Sequence, residues 1–182
     1  MNDHGTLIAD DTIRFERLLP GPIERVWAFL TESDKRALWL AAGPMTLDTG
    51  GDVALHFRNA ELSEGDDPAP EKYRDYENTG SMFGRITRCE PPHRLSYTWT
   101  DLPGETEEED SEVSFELTAE GDQVRLVLVH RRLQMHELLS VAGVWHTHLG
   151  ILEDRLAGRT PRPFWRTHTR LEAEYAGKLG TE

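Results

Sequence analysis

The chain has 182 residues, 37% of them hydrophobic and 29% charged, which is enough apolar material for a core, excludes wholesale disorder and requires no metal or disulfide staple. Its 20 Lys and Arg against 33 Asp and Glu leave a formal charge of −13, which disfavours nucleic acid and anionic lipid as partners because both are polyanions. One cysteine, Cys89, no long apolar run and no basic-then-apolar leader in residues 1–11 point to a cytoplasmic protein without a membrane partner.

Residues 12–19 alternate Ile13, Phe15 and Leu19 against charged neighbours, with Arg17 interrupting the apolar face; this is strand periodicity. Pro20-Gly21-Pro22 stops the strand, and Ile23, Val26, Trp27 and Leu30 follow at the spacing of one helical face. A second short helix is predicted over 34–40, turning Leu38 and Trp39 inward. Residues 45–47 and 53–57 are predicted strands around the turn Asp48-Thr49-Gly50-Gly51, with Val53, Leu55 and Phe57 on one face and Ala54, His56 and Arg58 on the other.

Residues 61–77 are polar and carry Pro68 and Pro70, and are read as a long mobile loop. Strands are predicted at 82–89 and 94–99, joined through Pro91-Pro92, then a second acidic loop over 101–112. A hairpin follows, 113–119 with 123–130, turning at Glu120-Gly121-Asp122. Val141, Trp145, His148, Leu149, Leu152 and Leu156 recur at helical spacing, giving a long amphipathic helix that Gly158 and Pro161 end. A last helix after Pro163 carries Phe164, His168, Leu171, Tyr175 and Leu179 on its apolar stripe. Strands and helices segregated in this way imply an α+β fold: a curved antiparallel sheet of about six to seven strands wrapped around a long helix.

Residues 84–99, Gly-Arg-Ile-Thr-Arg-Cys-Glu-Pro-Pro-His-Arg-Leu-Ser-Tyr-Thr-Trp, resemble the signature strand pair of the Aha-type family, the heat-shock-chaperone ATPase activator homologues of the START-like, helix-grip (SRPBCC) superfamily. Pro22-Ile23-Glu24-Arg25-Val26-Trp27, Ala37-Leu38-Trp39-Leu40, Val113-Ser114-Phe115-Glu116-Leu117, Val127-Leu128-Val129-His130 and Gly143-Val144-Trp145 support it in the right order. The resemblance implies a helix-grip domain over 10–158; the last helix lies outside its usual motif, and 159–182 are expected to be a helical extension packed on the same domain. It also implies an apolar small molecule, such as a lipid or polyketide, held between sheet and long helix. A chaperone or homodimer partner in a stress-response setting, or a cyclase- or dehydratase-type activity, are the alternatives it carries.

No motif assigns a catalytic residue, a metal or a cofactor. His136-Glu137-Leu138-Leu139-Ser140 lacks the second His that would share a zinc ion one turn on. His146 and His148, two apart, point to different helix faces. There is no nucleophile elbow, phosphate loop or dinucleotide fingerprint. The acidic loops lack the pattern of a calcium loop and read as solvated charge; Cys89 reads as a small strand residue.

The aromatic residues are more informative. Most serve a core, while Trp39, Phe57, Tyr97, Trp99, Phe115 and Trp145, with Leu149 and Leu152, are the candidates to line a ligand pocket. His130 ends the last strand, and His148 interrupts an otherwise apolar stripe, making it the first candidate to orient a ligand; a hydrogen-bonded structural role is the rival for both. Arg58 and Arg125 either pair an acidic ligand group or face solvent. The expected function is binding of an apolar or aromatic small molecule. The rivals are a co-chaperone-like interaction module and an enzyme using His130, His148 or Tyr97 as acid or base.

Overall fold

Alternation of apolar and polar residues along the chain becomes a seven-stranded antiparallel sheet in the computed structural model, which describes residues 3–65, 67–76, 80–101 and 110–179. β1 (Thr6–Ala9) and β2 (Thr12–Pro20) form a hairpin, followed by α1 (Ile23–Thr31), α2 (Ser33–Arg36) and β3 (Asp52–His56). β4 (Ser81–Glu90), β5 (Arg94–Trp99), β6 (Ser111–Glu120) and β7 (Gln123–Arg131) form a meander, then come α3 (Leu138–Leu156) and α4 (Phe164–Lys178). The strand order is β1-β2-β7-β6-β5-β4-β3, a curved and unclosed sheet. The first and last strands of the meander are not neighbours because β2 pairs with β7, Phe15 opposite Leu128 and Ile13 opposite His130.

The inner face of the sheet is the alternate set that the period-2 pattern selects. It carries Ile13, Phe15 and Leu19 of β2, Val113, Phe115 and Leu117 of β6, and Leu126, Leu128 and His130 of β7, all buried. α3 lies on this face, and α4 covers its back, so even its polar residues His146, Thr147 and Asp154 are buried. Gly150 on α3 admits the Arg162 guanidinium, since a Cβ there would stand 2.7 Å from Arg162 Nη1. Arg162 reaches Asp154 at 2.8 Å and so ties the chain after α3 back onto that helix. Among the described residues no helix is long and apolar enough to cross a membrane.

Several predicted elements differ in detail. β1 has no counterpart among them. Residues 45–47 make only an isolated bridge, Met45 with Val53, because the turn at Gly50 and Gly51 leaves too little chain for a ladder. Trp39 is fully buried, whereas Leu38 is 40% exposed: the chain leaves the helical path after α2, so neighbouring side chains diverge.

The polar stretch 61–77, read as mobile, carries the second of two 3-10 turns, Asn59–Glu61 and Glu71–Tyr76, and is pinned to α4. Ser63 Oγ accepts from the Phe164 N–H at 3.1 Å. The Asp67 carboxylate accepts from Trp165 N–H at 2.7 Å and Arg166 N–H at 3.1 Å. Tyr73 stacks on Trp165 with ring centroids 5.6 Å apart. Residues 102–109 of the second acidic loop lie outside the described residues, and its end is strand, since β6 begins at Ser111.

Candidate functional site

The long helix does not cover the sheet evenly. Its second half packs tightly, with Leu149 and Leu152 fully buried. Against its first turns a cavity of about 170 Å³ remains. Its walls are Leu40, Phe57, Trp99, Val141, Val144 and Trp145, with the His130 ring and Ser140 as the polar contributors. Spacing explains the helical wall: Val141 and Trp145, and Ser140 and Val144, are one turn apart and share a face. A space near 150 Å³ with apolar walls is enough for a benzene-sized ring.

Trp99, His130 and Val141 also border a larger, more polar mouth of about 390 Å³. Asp101, Asp110, Glu137 and Arg132 stand around it. Arg132 holds a φ of 60°, the left-handed region a side chain other than Gly or Asn seldom takes. Its Nε donates to the Asp110 carbonyl at 2.8 Å.

The aromatic wall is continuous. Trp99 lies 5.4 Å from Trp145 and 6.0 Å from Phe57 between ring centroids. Tyr97 stacks behind Trp99 at 6.3 Å, and Phe115 meets Trp145 edge-on at 5.9 Å.

His130 is committed on both sides. The Trp145 indole N–H donates to His130 Nδ1 at 3.0 Å, so the ring proton sits on Nε2, 3.0 Å from Ser111 Oγ. Ser111 donates in turn to the Trp99 carbonyl at 3.2 Å. Burial holds the His130 pKa down to about 3, so the ring is neutral. His148 is also fully buried, and its Nδ1 lies 2.7 Å from the Trp39 carbonyl. Burial holds its pKa down to about 4, against the opposing pull of that hydrogen bond.

Of the sequence candidates, Phe57, Trp99, His130 and Trp145 come together on the cavity wall. Tyr97 and Phe115 form the layer behind them, while Trp39, His148, Leu149 and Leu152 are buried in side-chain packing away from the wall. Trp39 uses its indole N–H on the Phe29 carbonyl at 2.7 Å, a structural task. Arg58 and Arg125 face away from the cavity: Arg58 pairs with Glu61 at 3.4 Å, and Arg125 with Glu16 at 2.8 Å and Glu120 at 2.6 Å on the outer face. Sequence reasoning missed Leu40, Ser140, Val144, Ser111 and Arg132. Val144 stands at i+3 from Val141 and Ser140 at i−4 from Val144, so helical spacing would have found both, whereas nothing in the pattern marks Arg132 for a positive φ.

Cys89 is half-buried, and burial together with Asp48 pushes its thiol up, away from reactivity. Among the described residues no group of three His, Cys, Asp or Glu side chains is placed to hold a metal ion.

Comparison with known proteins agrees with this architecture. Residues 20–157 match the family model described as Activator of Hsp90 ATPase homolog 1-like protein. The solution NMR structure of a Bordetella parapertussis protein is 46% identical, with a TM-score of 0.79 over 100% of this chain and 93% of that one. The crystal structure of CalU16 from Micromonospora echinospora is 25% identical, with a TM-score of 0.66 over 93% of this chain and 89% of that one. The Aha1 dimer from Colwellia psychrerythraea, 16% identical, shares the fold with a TM-score of 0.58 over 80% of this chain and 95% of its own. Comparison with curated proteins finds no match. With its family model spanning most of the chain and a curved sheet gripping a long C-terminal helix, the protein belongs to the Activator of Hsp90 ATPase homolog 1-like family of START-like domains.

Proposed function

We propose that the protein binds an apolar or aromatic small molecule in the cavity against the first turns of α3, without chemistry of its own. The observation that supports this reading is the set of apolar walls, Phe57, Trp99, Val141, Val144 and Trp145, standing open to the mouth rather than filled by a neighbouring side chain. A guest burying roughly 400 Å² of apolar surface gains about 10 kcal/mol. Association costs on the order of 4 kcal/mol or more, which leaves a dissociation constant of about tens of micromolar. Acid–base catalysis needs a titratable group with a free atom facing the substrate. His130 has both nitrogens engaged, and His148 is walled off behind other rings. The reading therefore puts a small molecule, rather than a chaperone or a second copy, in the partner's role. It also treats residues 159–182 as part of the same folding unit.

Titration with Nile red tests it. The expected result is saturable uptake, displaced by naphthalene and accompanied by energy transfer from Trp99 and Trp145. Val144→Trp, which puts an indole into the cavity, should abolish uptake while leaving the far-UV circular dichroism unchanged. A folded wild-type protein that takes up no displaceable dye would end the reading.

A further inference from the structure

The apolar chamber adjoins a second space of different chemistry. Trp99, His130 and Val141 border both the chamber and the polar mouth, so one guest can reach across the two. The chamber, at about 170 Å³, holds little more than a benzene-sized ring. The mouth, at about 390 Å³, has room for a tail and its end group. This pairing suits an elongated molecule with an apolar body and a polar end.

The hydrogen-bond chain at the junction limits what that end can be. His130 directs its Nε2 proton to Ser111 Oγ, and Ser111 spends its own proton on the Trp99 carbonyl. The Trp145 indole N–H is spent on His130 Nδ1. The chain has no proton left to give; its unused capacity is the second lone pair of Ser111, a residue that borders the mouth. Asp101, Asp110 and Glu137 also border the mouth, against Arg132 as its cation. Arg132 turns its Nε to the Asp110 carbonyl. Asp101 and Glu137 are exposed, and among the described residues neither pairs with a cation; one Glu137 oxygen accepts from the Gln134 N–H at 3.1 Å. Alone, these carboxylates would be a hydrated acidic rim. Next to a chamber that takes an apolar body, they set the sign of the end group: a carboxylate is repelled there and an ammonium attracted.

We propose that the guest is an amphipathic amine, its apolar body in the chamber and its ammonium in the mouth near Ser111, Asp101 and Glu137. The proposal rests on the reading that the cavity takes an apolar or aromatic molecule, and it names the class of that molecule. An ammonium offers donors and no acceptor, which matches a junction with only acceptor capacity left. In the mouth it keeps part of its water, so it escapes the desolvation cost that the chamber would impose.

2-Phenylethylamine, 2-phenylethanol and 3-phenylpropanoate, one phenylethyl stem with three end groups, are the probes. Competition with Nile red in low-salt buffer should rank the amine first, about fivefold tighter than the alcohol, and the carboxylate last. Added salt should narrow both gaps, because screening acts on exposed charges. In Asp101→Asn with Glu137→Gln, two exposed positions outside the core, the amine should lose most of its advantage over the alcohol. NMR locates the guest: the Val144 amide and Trp145 indole N–H should shift with amine and alcohol alike, and the Glu137 and Arg132 amides more with the amine. An amine no tighter than the alcohol, a carboxylate that binds best, an advantage that survives the double variant, or amine shifts confined to mouth residues would each overturn the proposal. Displacement of the dye by the alcohol or by naphthalene would leave the cavity reading standing in every one of those cases. Displacement by none of the probes, naphthalene included, would overturn both.

Discussion

Two buried arginines show how single residues hold this fold together by different means. Arg36 is fully buried and meets no carboxylate among the described residues; its guanidinium donates instead to the carbonyls of Ala41 at 3.1 Å, Thr31 at 3.1 Å and Gly43. That fork fixes the chain leaving α2, which delivers Leu40 to the cavity wall. Arg17 is 2% exposed on the apolar face of β2 and pairs with Glu153 of α3 at 2.8 Å, joining strand to helix. Burial lowers the Arg17 pKa and raises that of Glu153, and each charge offsets part of the other's cost. Arg17→Met should therefore lower stability by about 2–3 kcal/mol, because Glu153 is left half-buried with Arg162, at 3.8 Å, as its remaining cation among the described residues. A reduced urea midpoint reports the loss, and Arg17→Met with Glu153→Leu should recover most of it; an unchanged midpoint in the single variant would contradict this account. The sequence shows Arg17 breaking an apolar stripe. It does not show why, since the partner Glu153 lies far along the chain on α3, and Arg36 beside Lys35 looks like any solvated helix residue. Phe57, Trp99, His130 and Trp145 were legible as wall residues because large rings on regular elements must go inward. The pattern says nothing about which rings stop at a cavity and which continue into packing, because small neighbours such as Ser140 and Val144 decide that.

At the scale of elements, periodicity sufficed wherever one face is buried. β2, β5, β6, β7 and the long helix follow directly from it. β1 did not, because Thr6, Leu7, Ile8 and Ala9 are all exposed and no face is distinguished. The polar segment before β4 was misread for a related reason: its order comes from polar contacts with α4, which leave no hydrophobic period. Asp67 is the central contact. It satisfies two of the free N–H groups that every helix start presents, and its negative charge suits the positive end of the helix. No side chain from the residue preceding α4, Pro163, can do this. Asp67→Ala should cost about 1–2 kcal/mol, and amide exchange at Trp165 and Arg166 should accelerate while α3 keeps its protection. Unchanged exchange at those two amides would show that the loop rests on α4 without capping it. The same contact bears on the cavity, since Phe164 in the first turn of α4 packs at 5.0 Å against His148.

For the whole molecule, the acidic composition suggests a protein whose stability is governed by carboxylates, but the buried histidines set the stronger dependence on pH. In an unfolded chain an imidazole takes up its proton near pH 6.5. Burial in the fold keeps His130 neutral down to about 3 and His148 down to about 4. His130 faces the Trp145 indole and Ser111, and His148 faces the Trp39 carbonyl and, more distantly, His168, so among the described residues neither has a carboxylate beside it to favour the charged form. Their folded pKa values lie below the unfolded one. The unfolded chain thus binds more protons throughout the interval, and stability that is complete above pH 6.5 is lost as the pH falls toward 4. At pH 5 each ring costs about 2 kcal/mol, about 4 for the two together. His146, held down to about 3 by burial and by nearby Arg17 and His4, acts in the same direction. Glu16, Asp154, Glu172 and Glu174 have lowered pKa values and lose their contribution only in stronger acid. Glu153, raised by burial, works the other way, as does relief of the net negative charge. Against a total stability of about 5–15 kcal/mol, the histidines dominate between pH 6.5 and 5. Far-UV circular dichroism and tryptophan emission should therefore report cooperative unfolding that sets in at about pH 5. Signals unchanged down to pH 4 would contradict the low pKa values that burial gives these rings.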